Sequence, residues 1–249
     1  MSRRSLSLRV FSTGALMTVN VSAVLCEFRS QVQHVVIADT EEFGRCLVID
    51  DVMQASTLDH ALYDSELLRF LDDADRRFVI LGGGDGFVAR RILERVPSAE
   101  IIVADLDPEV TRAVETWFAQ TVFSSTRVDL QHRDAVDVLR SVEPPLDGII
   151  CDLTDSPVGA SDLASFESFY RQVIREAVRL LRPSGWISIQ AGASAVAPGC
   201  IDQAAVLGRL LDAAFAEVER TDVHLPSYGE ACAFLFAMGK VACPPAGSE

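Results

Sequence analysis

Cys151-Asp152-Leu153-Thr154-Asp155-Ser156-Pro157 sets two carboxylates three residues apart, just after the apolar run LDGIIC. If that run is a buried strand, both acids stand on a loop at its carboxyl end, the edge where open α/β sheets bind ligands. Capping accounts for either Asp alone, and Asp155 before Ser-Pro is a good turn former. Together, and facing a second acidic cluster, they point to binding or acid–base work. The second cluster begins at Gly82-Gly83-Gly84-Asp85-Gly86, between the apolar RFVIL and the amphipathic VARRILERV. Glycines at a strand-to-helix turn let the backbone approach a ligand closely. Their spacing is G-x-G-x-G, with no third glycine to complete the G-x-G-x-x-G of a dinucleotide site, so a nucleoside without a pyrophosphate is expected. Nineteen residues after Gly86, at the end of EIIVAD, Asp105 has the position of an acid that holds ribose hydroxyls. Asp134 stands where it would meet an adenine amino group or cap a helix, and the two roles are compatible. Asp107 before Pro108 reads as a helix N-cap. Asp85, inside the glycine turn, favours an ammonium group at that end of the ligand.

A sheet has to bring these residues together. RFVILG, EIIVADLD, VDLQH, LDGIICDL and WISIQAG are each too short for a helix, and each is followed by a helical period. That succession predicts a doubly wound, methyltransferase-like Rossmann α/β sheet. The spacing predicts a long helix from about Asp162 to Leu181, with Leu163, Phe166, Phe169, Tyr170, Val173 and Ala177 on one face, stopping at Pro183 and Gly185. Upstream, SLRVF, MTVNVSAVL, VQHVVIAD and GRCLVIDD predict a small antiparallel β region. Apolar segments around 218–225 and 232–238 flank Pro-Ser-Tyr-Gly, which predicts a closing hairpin. The expected division is a β region over 1–57, an α/β catalytic domain over 58–240 and a polar tail over 241–249.

The chain has 249 residues, with 22 Lys+Arg against 36 Asp+Glu and a net charge of −14; it is 49% apolar and 23% charged. That is a globular protein of one main domain with a smaller appendage. The acid excess argues against a nucleic-acid partner and suits a cationic substrate. Six cysteines show no C-x-x-C spacing and read as buried free thiols of a cytoplasmic protein. The Arg-rich opening is broken by Ser, Thr and Asn, so no secretory signal is expected, and no apolar stretch is long enough to span a membrane. His34, His60, His132 and His224 have no metal-ligand spacing, so no metal is expected. A Gly-x-Ser-x-Gly elbow is absent. Trp117 and Trp186 read as core residues, and the acids between Leu71 and Asp75 as a solvated helix end.

In series, VQHVVIADTEEFGRCLVIDDVMQ, DHALY, GGGDG, ADLD, RDA, CDLTDSP, ESFY, IQAG and HLPSY resemble the polyamine aminopropyltransferases, the spermidine, spermine and thermospermine synthases. The likeness runs from about Gln33 to Lys240. Asp-Ala at 134 and 135, Gln190-Ala191-Gly192 and His224-Leu-Pro-Ser-Tyr228 look most like the thermospermine branch. The resemblance implies transfer of an aminopropyl group from decarboxylated S-adenosylmethionine, a co-substrate and not a resident cofactor, to an amine of a polyamine. 5′-Methylthioadenosine is the other product. It implies that Asp152 takes the proton or orients the attacking nitrogen, with Tyr63 as its partner, and that Asp155 anchors an acceptor ammonium. Gln190, Tyr228 and Glu230 would line the acceptor channel. Gln33, Gln54, Asp64, Gly82, Gly84, Asp85, Asp105, Asp134 and Ala135 would hold the donor. A homodimer or homotetramer is implied as well.

Three positions depart from the family pattern. Tyr63-Asp64-Ser65 replaces Tyr-His-Glu or Tyr-Gln-Glu, so an acid stands where an amide or imidazole is usual; Asp64 would still bind an ammonium, and would repel the carboxylate of ordinary S-adenosylmethionine. Tyr228-Gly-Glu-Ala replaces Tyr-Pro-Ser-Gly, and a Ser separates Asp155 from Pro157. Two rival readings follow: an S-adenosylmethionine-dependent methyltransferase, which Asp64 and Asp85 oppose, and a non-catalytic polyamine- or nucleoside-binding paralogue.

Overall fold

Residues 4–10, 12–153 and 162–241 are described by the structure, a computed structural model. Five antiparallel strands come first, β1 (Arg4–Arg9), β2 (Leu16–Arg29), β3 (His34–Thr40), β4 (Gly44–Ile49) and β5 (Val52–Ser56), ordered as in the chain. The remainder alternates: α1 (His60–Leu67), β6 (Arg77–Gly82), α2 (Phe87–Arg95), β7 (Glu100–Ala104), α3 (Pro108–Trp117), β8 (Val128–Gln131), α4 (Ala135–Ser141), β9 (Leu146–Asp152), α5 (Leu163–Leu180), β10 (Leu181–Ala193), α6 (Gln203–Asp212), β11 (Phe215–Leu225) and β12 (Glu230–Lys240). The second sheet has the order β11-β12-β10-β9-β6-β7-β8, parallel from β10 to β8 and antiparallel where β12 meets β10 and β11.

Phe78, Val79, Ile80 and Leu81 of β6 are each at most 1% exposed. A strand covered by helices on both faces needs such an unbroken apolar run. One layer packs α4, α5 and α6 on the sheet around Val138, Val173, Ala177 and Leu207, and the other packs α1 and α2 around Leu67, Val88 and Ile92. Strand order reverses between β6 and β9, and there Gly82 pairs with Asp152. This topological switch point is where a doubly wound sheet opens a crevice.

The small sheet is fixed to the large one in two ways. Val35, Ile37, Leu47 and Ile49 pack against Phe87, Val110 and Val114 of α2 and α3. Buried Asp59 accepts hydrogen bonds from the Ser56 hydroxyl at 2.7 Å, the Ser227 hydroxyl at 2.7 Å and the Ser227 N–H at 2.9 Å.

Several expectations need correcting. The acids at 72–75 are not a solvated helix end: α1 stops at Leu67, and Asp75 is 1% exposed, accepting from Arg182 at 2.7 Å and the Trp186 indole at 3.1 Å. Leu163 is exposed because it opens α5 beyond the sheet, one residue after its N-cap Asp162. That helix ends at Leu180, in keeping with the stop expected at Pro183, since the residue preceding a proline is driven out of helical geometry. Cys46 and Cys151 are buried free thiols and Cys232 is buried, but Cys26 is half-buried and Cys200 exposed; Cys243 lies outside the described residues. The fifth strand, β5, carries too little alternation to be read in advance. Among the described residues no helix is long and apolar enough to cross a membrane.

Candidate active site

The crevice above Gly82 and Asp152 holds two joined chambers that share Ile49, Asp105, Val110, Asp152 and Leu153 as walls. Local sequence fixes the floor. Gly82, with φ +80°, turns the chain out of β6; Gly86, with φ +74°, is the N-cap of α2, and Asp85 Oδ1 accepts the Phe87 N–H at 3.0 Å. No side chain fits at 82, where a Cβ would stand 1.9 Å from the Asp152 carbonyl oxygen.

The second chamber is lined by Gly82, Asp105, Asp107, Asp134, Ala135 and apolar Leu106, among others. Asp105 accepts the Gly84 N–H at 3.0 Å and the Asp107 N–H at 2.9 Å, which fixes its carboxylate at the mouth of β7. Burial pushes its pKa up, and those two N–H bonds hold it back. Asp107 caps α3 through the Glu109 N–H, as its place before Pro108 predicts. The same carboxylate accepts from Ser30 at 2.6 Å and from the Gln33 amide at 3.0 Å, so the cap also seats Gln33 on the chamber wall. Asp134 caps α4 by accepting from Val136 and Asp137 N–H groups, and lines the chamber as well. Apolar walls interspersed with acids suit a nucleoside.

The first chamber brings together Gln54, Tyr63, Asp85, Asp152, Gln190 and Tyr228. Tyr63 on α1 donates its hydroxyl to Asp152 Oδ1 at 2.5 Å, across 89 residues of sequence. Tyr228 stacks on Tyr63 with centroids 6.0 Å apart and donates to the Gln54 carbonyl at 2.5 Å. Among the described residues, neither Lys nor Arg lines this chamber, so the repulsion between its acids is opposed by hydrogen bonds and not by a lining cation. Burial raises Asp152 to about 7, the charges of Asp64 and Asp105 add to this, and the Tyr63 hydrogen bond opposes it. Asp85 is pushed well above the usual carboxylate range, first by burial and then by Asp152 and Asp64. Burial and Asp152 likewise drive the Tyr63 phenol well above its ordinary value, so it stays a donor. Such a chamber attracts cations and offers a carboxylate able to hold a proton near neutrality.

Two residues named from the sequence stand elsewhere. Asp64 is buried but does not line either chamber; its Oδ2 lies 3.0 Å from His60 Nδ1. Glu230 accepts the Ser12 N–H at 3.0 Å and is not among the lining residues. Asp155 lies outside the described residues. Sequence reasoning missed the apolar walls Leu47, Ile49, Val110 and Leu153, since any strand or helix offers such residues. It also missed His60, whose signal was its helical spacing from Asp64. Among the described residues, no cluster of three His, Cys, Asp or Glu is arranged to hold a metal.

Residues 65–243 match the family described as spermine/spermidine synthase domain, and residues 9–57 the spermidine synthase tetramerisation domain. A polyamine aminopropyltransferase of Pyrobaculum neutrophilum is 30% identical over 90% of this chain and 78% of its own. Another, from Synechococcus sp. (strain JA-2-3B'a(2-13)), is 29% identical over 87% of this chain and 71% of its own. A spermidine synthase solved in complex with the transition-state analogue AdoDATO shares the fold, with a TM-score of 0.80 at 20% identity, over 95% of this chain and 81% of its own.

Proposed function

The chain belongs to the spermine/spermidine synthase family, and from that premise we propose that it transfers the aminopropyl group of decarboxylated S-adenosylmethionine to a primary amine of a polyamine, putrescine or spermidine. The observation that carries this reading is the Tyr63–Asp152 pair in one chamber with Asp85 and Asp105, where no Lys or Arg stands among the described lining residues.

An alkyl amine with a lysine-like pKa is only about one part in a thousand unprotonated near neutrality. Asp152, with a pKa near 7, accepts a proton from the acceptor ammonium and holds the freed nitrogen. The nitrogen lone pair then attacks the methylene beside the sulfonium. The carbon–sulfur bond breaks with its electron pair going to sulfur, which leaves neutral 5′-methylthioadenosine. Asp105 takes the ribose, Asp134, Ala135 and Gly82 the adenine side, Asp85 and Gly84 the aminopropyl end, with Gln33 and Gln54 alongside. Gln190 and Tyr228 receive the acceptor. A donor that kept its carboxylate would add one more acid to a chamber where Asp152 already pushes Asp85 up and Asp105 pushes Asp152 up, which disfavours methyl transfer from ordinary S-adenosylmethionine.

The match of residues 9–57 to a tetramerisation domain supports an oligomer, and we read the protein as a homodimer or homotetramer working in the cytoplasm. We further propose a functional division near residue 57, with the small sheet closing a chamber that the larger domain builds. The test is an assay of purified protein with decarboxylated S-adenosylmethionine and putrescine, cadaverine, spermidine or norspermidine, product isomers being resolved by chromatography and mass. Methylthioadenosine formed only when a cognate amine is present is the expected result. Its absence with every amine, or methyl transfer from ordinary S-adenosylmethionine, would overturn the reading.

A further inference from the structure

His60 has no part in the reaction just described, yet its ring is held on two sides. Nδ1 lies 3.0 Å from Asp64 Oδ2, one helical turn along α1. The ring stacks on Phe87 with centroids 4.2 Å apart and planes 19° from parallel. Phe87 carries the Arg90 guanidinium over its ring at 5.1 Å and donates its N–H to Asp85 Oδ1. Contacts therefore run without a break from His60 to the acid of the glycine turn.

Asp64 is 3% exposed and stays outside the cleft walls, but its charge reaches the cleft, where it helps to push up both Asp85 and Asp152. The groups facing it are His60 on its own helix, Arg90 and Arg91 on α2, and the two cleft acids. Burial favours neutral Asp64, and the His60 hydrogen bond favours the carboxylate. An N–H at Nδ1 serves whether the imidazole is neutral or protonated. Resting on the aminopropyl-transfer reading, we propose that His60 is a positioning residue for the donor. It keeps Asp64 ionised, and that buried charge, acting on the cleft from behind its walls, tightens the grip on the donor's terminal ammonium. The consequence is selective: a ligand without the ammonium gains nothing from the pair.

The full chain and its His60→Phe, His60→Gln and Asp64→Asn variants test this by calorimetric affinity for two ligands, decarboxylated S-adenosylmethionine and 5′-methylthioadenosine. Phenylalanine keeps the stack on Phe87 and loses the hydrogen bond. His60→Phe is expected to weaken the decarboxylated donor about tenfold, the scale of one partly desolvated charge contact, and to leave methylthioadenosine unchanged. In turnover, donor KM rises by a similar factor while kcat stays within about twofold. His60→Gln retains a donor within reach of Asp64 and restores most of the affinity. Asp64→Asn reproduces the His60→Phe loss, and combining the two adds little, because both remove one charge. Unchanged donor affinity in His60→Phe, or an equal loss for both ligands, would reduce His60 to packing and overturn the proposal. A wild type that binds both ligands but makes no product would overturn the transfer reading instead, and the affinity comparison would still decide the role of His60.

Discussion

The Gly84 N–H donates to Asp105 Oδ2 at 3.0 Å, and a Cβ on residue 84 would stand 2.3 Å from that same oxygen. The glycine turn and the acid at the end of β7 are thus built to one another's dimensions. Gly84 does not need a left-handed backbone, so alanine is accommodated by moving the Asp105 carboxylate. Gly84→Ala is expected to keep the fold and to weaken 5′-methylthioadenosine about tenfold or more, the cost of losing charge-assisted bonds to the ribose. Calorimetry alongside a melting curve checks both halves.

Asp152→Asn keeps an acceptor for the Tyr63 hydroxyl and loses the base. It is expected to lower kcat by about 10²–10⁴ with donor affinity less affected. Tyr63→Phe is expected to lower kcat by a smaller factor, and the double variant to fall short of the product of the two, because they act through one hydrogen bond. Single-turnover kinetics at saturating donor read these numbers directly.

A base with a pKa of about 7 works only above it, so kcat/KM is expected to fall as pH drops through about 7 and to level off above. Bound cationic donor favours the carboxylate, so the same limb in kcat lies at lower pH. Stability runs the other way. The folded pKa of Asp152 is raised above the unfolded value of about 3.9, so its contribution is full below that value and lost as pH rises through about 7. Melting temperatures from pH 5 to 8 in the wild type and Asp152→Asn check this: the variant has the flatter decline.

Asp59→Ala removes one carboxylate from three donors, two of them on Ser227. The expected cost is about 3 kcal/mol, the scale of buried hydrogen bonds to a charged group left without a partner. Urea unfolding measures it. Ser227 adjoins Tyr228, so at a temperature where the variant is folded the expected residual defect lies in acceptor KM and not in donor KM.

What could be read from the sequence follows from how local each cause is. Phe78 to Leu81 are apolar in succession because helices cover both faces of β6, and Asp107 before Pro108 marks a cap whose partners lie two residues away. The order of motifs along the chain carries the family resemblance without any knowledge of the fold. Asp75 shows the opposite case. Three acids within four residues read as solvated, and only Arg182 and Trp186, 107 and 111 residues later, make a buried site for one of them. His60 and Asp64 have legible helical spacing, but the Phe87 ring that completes the arrangement belongs to another helix. The family resemblance implies that Glu230 lines the acceptor channel, whereas its carboxylate accepts the Ser12 N–H from the loop before β2.

The position of β12 between β10 and β11 sets the order in which the cleft is completed during synthesis. When β11 has left the ribosome it has no partner in the sheet, since its pairing from Phe215 to Leu225 is wholly with β12. The floor of the crevice, with its glycine turn, Asp105 and Asp134, is by then already encoded in emerged chain. Tyr228, which donates to the Gln54 carbonyl and stacks on the Tyr63 ring, stands just before the strand that fills that gap. A chain that stops short of Tyr228 has every residue of the nucleoside chamber and lacks one wall of the chamber that holds Asp152, so the last part of the cleft to be synthesised belongs to the acidic chamber.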